Sequence, residues 1–341
     1  MNRYNGLRVL VTGHRGFKGS WLSLWLKELG AQVYGVSLPT GPSLFRNYDF
    51  LDSDVRLDLA GSYCNVEYLV KSVQPDIVMH LAAQPLVNVS YSNPGYTLRN
   101  NICATVNLLE ALNYSNAKPC ATVVVTSDKC YENDNSGRRL VEGDRLGGHD
   151  PYSTSKACQE LISQSYSRIA TQNRIVTARG GNVVGGGDFS NGRLLVDITE
   201  ACRKGHPVEI RNPASTRPFQ YVLDCLSGYM KLGLATYEGT ASGAYNFGPE
   251  ESLTVGEVAR IAVEEWRSLR GTAIPIELGA STMVESQALQ LDSSKARQEL
   301  GWISKVSPEE AVRRAVKWYA TAPYTSLLEY SKSEIQNYSA L

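Results

Sequence analysis

The first half of the chain alternates short apolar runs with longer amphipathic segments, and this rhythm restricts the fold more than any other feature. Arg8–Thr12 (RVLVT), Gln32–Val36 (QVYGV), Asp76–Leu81 (DIVMHL) and Ala121–Thr126 (ATVVVT) are apolar along much of their length. Such runs suit strands covered on both faces, as in a parallel sheet lying between helix layers. Between them, Ser20–Leu29, Val66–Val73 and Arg99–Leu112 carry apolar residues at helical spacing. The alternation predicts an α/β fold built on a doubly wound parallel sheet. After Ala178 the texture changes: glycines crowd residues 180–187, and prolines punctuate Arg211–Pro218. We expect residues 1–178 to form a nucleotide-binding domain with the catalytic residues. Residues 179–341 are expected to be mainly a smaller, discontinuous α/β substrate lobe, with some segments returning to the first domain.

The turn after the first strand is Thr12-Gly13-His14-Arg15-Gly16-Phe17-Lys18-Gly19. Glycines at 13, 16 and 19 permit a tight turn and close backbone approach, so that N–H groups at a helix start face a pyrophosphate. Dinucleotide sheets usually end the second strand with a carboxylate that holds the adenosine ribose. Here that strand runs into Val36-Ser37-Leu38-Pro39, without one. Arg15 offers a cation suited to the extra phosphate of NADP, so NAD and NADP both stay open. Asp58 is either an adenine contact or a turn residue.

The fourth apolar run ends in Thr126-Ser127-Asp128-Lys129, and Tyr152-Ser153-Thr154-Ser155-Lys156 follows. On a helix Tyr152 and Lys156 lie one turn apart on one face. An ammonium there favours phenolate and lowers the tyrosine pKa from ~10, as a base working near neutrality requires. With 19 tyrosines in the chain such a spacing arises easily by chance. Its coupling to a strand-end Thr-Ser and an upstream glycine turn is what gives it meaning.

Composition narrows the partners. Lys plus Arg and Asp plus Glu each number 34, so no net field attracts a polyanion, and nucleic acid is not expected as a partner. No apolar run approaches the ~18 residues of a membrane span, and the polar start lacks the order of a secretion signal. The expected address is the cytoplasm. Seven scattered cysteines without a Cys-x-x-Cys read as reduced thiols. Four histidines, none at paired ligand spacing, point to no metal.

Taken with TGHRGFKGSWLSLWL (12–26), HLAAQPLV (80–87), TSDKCYEN (126–133), GGHDPYSTSKACQE (147–160), GNVVGGGD (181–188), IRNPASTRP (210–218), YNFGP (245–249), LDSSKA (291–296) and YSKSEIQNY (330–338), these features carry a resemblance along the whole chain. The sequence resembles the extended short-chain dehydrogenase/reductases, which have a Rossmann fold, and within them the CDP-glucose 4,6-dehydratase subfamily of the epimerase/dehydratase family.

The resemblance implies an NAD-dependent hydro-lyase. It would oxidise a sugar-nucleotide C4 hydroxyl, eliminate water across C5 and C6, and return the hydride to C6. Tyr152 would take the C4 hydroxyl proton, Lys156 would assist it and bind the cofactor ribose, and Ser127 would donate to the same oxygen. Lys129 would be the C5 base and Asp128 the acid for the C6 hydroxyl, two groups whose proton affinities must be pushed apart. A 4-epimerase or 4-reductase of another nucleoside diphosphate sugar, the alternative reading, needs neither of these two.

Cofactor contacts implied are Gly13, His14, Arg15, Gly16, Phe17, Lys18, Gly19, Asp58, Leu59, Ala82, Ala83, Gln84, Asn101, Thr126, Tyr152 and Lys156. Substrate contacts implied are Gln84, Ser127, Asn182, Arg193, Leu194, Arg211, Arg217 and Glu285, with the arginines suited to a diphosphate. The resemblance further implies a homodimer or higher homo-oligomer paired through the helix bearing Tyr152 and the one near Asn101–Ala111. Cys158, Leu161 and Ile162 give the first an apolar stripe that suits either a dimer seam or a buried core helix. Its product would feed deoxysugar assembly for bacterial surface polysaccharides such as the lipopolysaccharide O-antigen. A binding module without catalysis would carry no need for the catalytic set.

Overall fold

A computed structural model describes residues 2–39, 41, 43–115, 117–133, 136–169, 172–279, 289–323 and 325–341. The chain begins with β1 (Arg8–Thr12), α1 (Phe17–Glu28), β2 (Gln32–Ser37), β3 (Ser53–Arg56), α2 (Tyr63–Val73), β4 (Ile77–His80), α3 (Val87–Ser92), α4 (Pro94–Tyr114) and β5 (Ala121–Val125). It continues through β6 (Arg139–Leu140), α5 (Pro151–Ile169), β7 (Arg174–Gly180), β8 (Val183–Val184), α6 (Leu194–Lys204), β9 (Val208–Ile210), β10 (Thr216–Arg217), β11 (Gln220–Tyr221), α7 (Val222–Glu238) and β12 (Gly243–Phe247).

Seven strands make one sheet in the order β12-β7-β5-β4-β1-β2-β3, and every neighbouring pair is parallel. This is the doubly wound sheet expected from the alternation. Successive side chains of β1 serve opposite cores: Val9 and Val11 pack with α1 and α7, while Leu10 packs with α2 and α4. Burial on both sides is why these strands read as nearly continuous apolar runs.

The expected elements are present, and their ends differ where a cap rather than the apolar period sets the boundary. The helix expected from Arg99 begins at Pro94, because the Asn93 side chain accepts the Tyr96 N–H and Pro94 presets the first turn. β3 carried no apolar signal, since as an edge strand it is only partly covered. β12, from the second half of the sequence, joins the sheet beside β7 with Gly243 opposite Val176. Asp224 on α7 ties down the C-terminal segments, accepting from Lys305 N (2.9 Å), Val306 N (3.0 Å), Ser304 Oγ (2.9 Å) and Tyr338 Oη (2.6 Å).

In such sheets ligands bind beyond the carboxyl ends of the strands. The turn after β1, the loop after β5 and the start of α5 all follow strand ends on that side.

Candidate active site

The turn after β1 is shaped by its glycines. Gly13 has φ of 71°, and a Cβ there would stand 2.9 Å from the Ala82 backbone. At Gly19 a Cβ would lie 2.0 Å from the Gly13 carbonyl oxygen. The turn therefore tolerates no side chain at either position. Among the described residues no side chain caps the first turn of α1. A glycine cradle opening onto uncapped helix N–H groups fits a dinucleotide pyrophosphate.

Around it the side chains are committed. The His14 ring lies against Gly35, where a Cβ would come within 2.5 Å, and its Nε2 is 2.8 Å from Asp54 Oδ1. Arg15 and Arg56 donate to Asp54 Oδ2 at 3.2 and 3.0 Å, and Arg15 also lies over the Tyr48 ring. The carboxylate beside the turn is Asp54 of β3, committed to the turn's own His14 and Arg15. Asp58 accepts the Ala60 N–H at 2.9 Å, the turn-residue geometry, and Leu59 is buried in the core. Lys18 leaves the turn for α7, donating to Tyr229 Oη at 3.2 Å. Phe17 is half-buried at the start of α1, its ring close to Gly185, where a Cβ would stand 3.2 Å from Phe17 Cζ.

Beyond β5, Ser127 caps a single helical turn. Its Oγ accepts the Lys129 N–H (3.2 Å) and donates to Asp128 Oδ1 (2.9 Å). Asp128 is 2 % exposed, and its Oδ2 has no hydrogen-bond partner. Burial pushes its pKa up, opposed by Lys129, the Ser127 hydrogen bond and Arg217. Lys129 itself is half-buried. Thr126 departs from expectation. Its hydroxyl donates to Glu160 Oε1 at 2.5 Å and its N–H to Ala178 O, so the side chain is turned into the interior rather than toward a cofactor.

Tyr152 and Lys156 share a face of α5, and Tyr152 hydrogen-bonds with Ser127. The expected depression of the tyrosine is not found. Burial pushes Tyr152 up to about 12, against the opposing Ser127 bond. Burial, then Lys18, brings Lys156 down to about 7. The reason is in the contacts: Lys156 Nζ donates to Val125 O (3.2 Å) and Gln159 Oε1 (2.8 Å), and the phenol is not among its partners.

Asn101 links α4 to the loop after β4. Its Oδ1 accepts Gln84 N (2.7 Å), and its Nδ2 donates to Ser155 Oγ (2.8 Å). Ala82 N donates to Thr12 Oγ1 at 3.1 Å, and the half-buried Ala83 follows it. The Gln84 side chain is a second correction. Its amide donates to Leu86 O and Thr97 Oγ1 and accepts Leu86 N, so it braces its own loop instead of presenting its amide to substrate.

Beyond β7, Asn182, Arg193, Leu194 and Phe219 line one cavity. Arg193 donates to Pro85 O at 3.2 Å, bridging the cavity to the loop after β4. Arg217 is buried, with Nη1 on Thr216 O, and its charge acts on Asp128. Arg211 is exposed beyond β9 and does not line that cavity. Glu285 lies outside the described residues.

Beneath the loop runs a network to which the sequence assigns no role, although Tyr131, Glu160 and Asn246 fall within the strings that carry the resemblance. Glu160 Oε2 accepts from Arg179 Nη2 and Thr177 Oγ1, both at 2.8 Å. Arg179 Nη1 donates to Tyr131 Oη (2.7 Å), which donates to Asn246 Oδ1 (2.7 Å). Glu160 follows the Tyr-x-x-x-Lys string and was within sight of it. Its partner Arg179 sits in a strand, where no spacing rule flags it.

His80 is buried and pushed down to about 3, by burial and then by the Lys156 charge. Unfolded, it titrates near ~6.5. Below that pH the unfolded chain takes up a proton that the folded chain refuses, so stability falls as pH drops from ~6.5 toward the folded value. The slope is up to ~1.4 kcal/mol per pH unit. His14, also lowered by burial, adds to it. The urea midpoint is expected to decrease from pH 7.5 to 5.5, and an unchanged midpoint would refute a neutral His80.

Fold and site together define an extended short-chain dehydrogenase/reductase. Residues 10–315 match the family described as GDP-mannose 4,6 dehydratase. The chain is 41% identical to the CDP-glucose 4,6-dehydratase of Salmonella typhimurium, with 99% of this chain and 97% of the other covered. It is 26% identical to a UDP-glucose 4-epimerase of Cyamopsis tetragonoloba, covering 94% and 96%. Among solved structures, the UDP-glucose 4-epimerase of Thermus thermophilus in complex with NAD superposes with a TM-score of 0.79 at 26% identity, covering 93% and 100%. The chain belongs to the sugar-nucleotide 4,6-dehydratase family, whose members are hydro-lyases; the epimerases are distant relatives. Among the described residues no helix is long and apolar enough to cross a membrane.

Proposed function

We propose that this enzyme converts CDP-glucose to CDP-4-keto-6-deoxyglucose with NAD. The observation that carries the reading is Asp128: a buried carboxyl with one oxygen unpartnered and its pKa raised, beside Lys129 and joined through Ser127 to Tyr152. A carboxyl whose burial favours its protonated form suits a general acid, for which neither a 4-epimerase nor a 4-reductase has use. The 41% identity along nearly the whole chain supports the cytidine nucleotide and glucose.

Tyr152 takes the proton of the C4 hydroxyl while Ser127 donates to the same oxygen. The turn around Gly13, Gly16 and Gly19 would hold NAD, which would supply hydride acceptance at C4 and hydride donation to C6. The C4 ketone makes the C5 proton acidic, and Lys129 removes it. Asp128 protonates the C6 oxygen as the C6–O bond breaks and the C5–C6 double bond forms. Water leaves, Lys129 returns a proton to C5 as C6 is reduced, and the proton held by Tyr152 passes through Ser127 to Asp128, which resets both groups. Asn182, Arg193 and Arg217 meet the nucleotide diphosphate, two guanidiniums matching its charge. We assign NAD rather than NADP because Arg15, the cation suited to an extra phosphate, is already paired with Asp54. A cytoplasmic homodimer paired through α4 and α5 completes the reading, with Leu161 standing 56% exposed on α5; sedimentation at several concentrations tests it.

The decisive experiment incubates purified protein with CDP-, UDP-, GDP- and dTDP-glucose, each with NAD and with NADP. CDP-glucose with NAD is expected to give a product lighter by one water, carrying solvent deuterium at C5, without net reduced cofactor. An epimer of unchanged mass or accumulating reduced cofactor would overturn the reaction. Preference for another base would overturn only the substrate.

A further inference from the structure

Thr12 and His80 are paired across β1 and β4, on the face where Leu10 and Val78 pack against α4. Thr105 on α4 and Gln159 on α5 complete a line of buried polar side chains from the glycine turn to Lys156. Lys156 Nζ donates to Gln159 Oε1 (2.8 Å), and Gln159 Nε2 donates to Thr105 Oγ1 (2.6 Å). Thr105 Oγ1 lies 2.9 Å from Asn101 O and 3.0 Å from His80 Nε2. His80 Nδ1 lies 2.8 Å from Thr12 Oγ1, which accepts Ala82 N at 3.1 Å.

The protons in this line have a single consistent placement. A carbonyl cannot donate, so Thr105 gives its only proton to Asn101 O. His80 must then donate from Nε2, which leaves Nδ1 bare to accept the Thr12 hydroxyl. Thr105, its proton spent, can only accept from Gln159, so the amide nitrogen of Gln159 is required there and its oxygen is turned to Lys156. The amide cannot flip without losing bonds at both ends in a dry interior, where each lost bond is costly.

We propose that Gln159 is a positioning residue for Lys156, oriented by Thr105, His80 and Thr12, so that the ammonium is aimed by a line of hydrogen bonds anchored at the nucleotide turn. Two of the three Nζ protons are taken by Val125 O and Gln159, and the third is left for the reacting cleft. The inference rests on the proposed role of Lys156. The other titratable groups acting on Lys156 are Lys18 from the glycine turn, Cys130 after β5 and Glu160 on α5. His80 feels its charge in turn.

The test compares Gln159→Glu, Gln159→Met and Lys156→Met with the parent enzyme, loaded with NAD and turning over CDP-glucose across pH 6 to 10. Gln159→Met is expected to lower kcat about tenfold near neutrality with KM for CDP-glucose changed less than about twofold, and to move the limb set by Lys156 to lower pH. Gln159→Glu places a carboxylate on the ammonium and is expected to shift the same limb upward by one unit or more, while its second oxygen faces the Thr105 hydroxyl as acceptor against acceptor, so kcat recovers only in part. Superimposable pH profiles in all three Gln159 forms, with only melting temperature altered, would overturn the proposal and leave Gln159 a packing residue. If Lys156→Met turns over normally, the assignment of Lys156 fails first and the role of Gln159 falls with it. A Gln159 effect alongside an inactive Lys156→Met upholds both.

Discussion

Asp128→Asn is expected to lower formation of the 4-keto-6-deoxy product by about 10²–10⁴-fold, the range typical of a lost general acid. The first oxidation should survive within about tenfold, seen in single turnover as a burst of reduced nicotinamide absorbance that persists instead of decaying. The physical basis is the contrast between the two carboxyl oxygens. Oδ1 accepts the Ser127 hydroxyl, a bond the asparagine carbonyl can keep. Oδ2 has no partner, so an amide nitrogen enters that position without displacing one and the fold is not threatened. What disappears is a proton that can be given to a departing hydroxyl. Undiminished dehydration in this variant would remove Asp128 from the mechanism and reopen the epimerase reading.

Glu160→Leu is expected to cost about 3–5 kcal/mol of folding stability, because it strands Arg179 in the interior without a counter-charge. Both side chains are about 1% exposed or less, and Glu160 also accepts from Thr126 and Thr177. Removing both charges together, as Glu160→Leu with Arg179→Met, should recover much of the loss, since a buried pair often roughly breaks even with apolar residues of similar volume. Urea denaturation of the two variants and the parent measures this. A loss below about 1 kcal/mol in the single variant would mean that water or a rearranged Glu142 carbonyl, already 3.0 Å from Arg179 Nη1, neutralises the site. Because Thr126 opens the loop that carries Ser127, Asp128 and Lys129, the single variant should also lose turnover.

The parallel sheet and its glycine turn were legible because they follow local rules. A strand covered on both faces must be apolar at successive positions, and a turn whose Gly19 would collide with the Gly13 carbonyl must be glycine. The Ser127, Asp128, Lys129, Tyr152 and Lys156 set was legible because its members lie in two short strings at the ends of predicted elements. β3 escaped because an edge strand has no reason to be apolar, and with it the carboxylate Asp54 that holds His14, Arg15 and Arg56. Thr126 and Gln84 were assigned by string position alone. Side-chain direction depends on partners far away in sequence, here Glu160 for one and Thr97 for the other.

Sequence by itself determined the alternating fold and the glycine turn, since period and turn chemistry are properties of short segments, and through the family resemblance it named the side chains proposed to react. Only the tertiary structure decided their protonation and aim. Burial carries Tyr152 up, opposite to what the helix-turn spacing implies, and Lys156 down, and burial likewise favours the protonated form of Asp128. Desolvation and hydrogen-bond direction come from neighbours assembled from β1, β4, β5, α4, α5 and α7, and no local spacing encodes such an assembly.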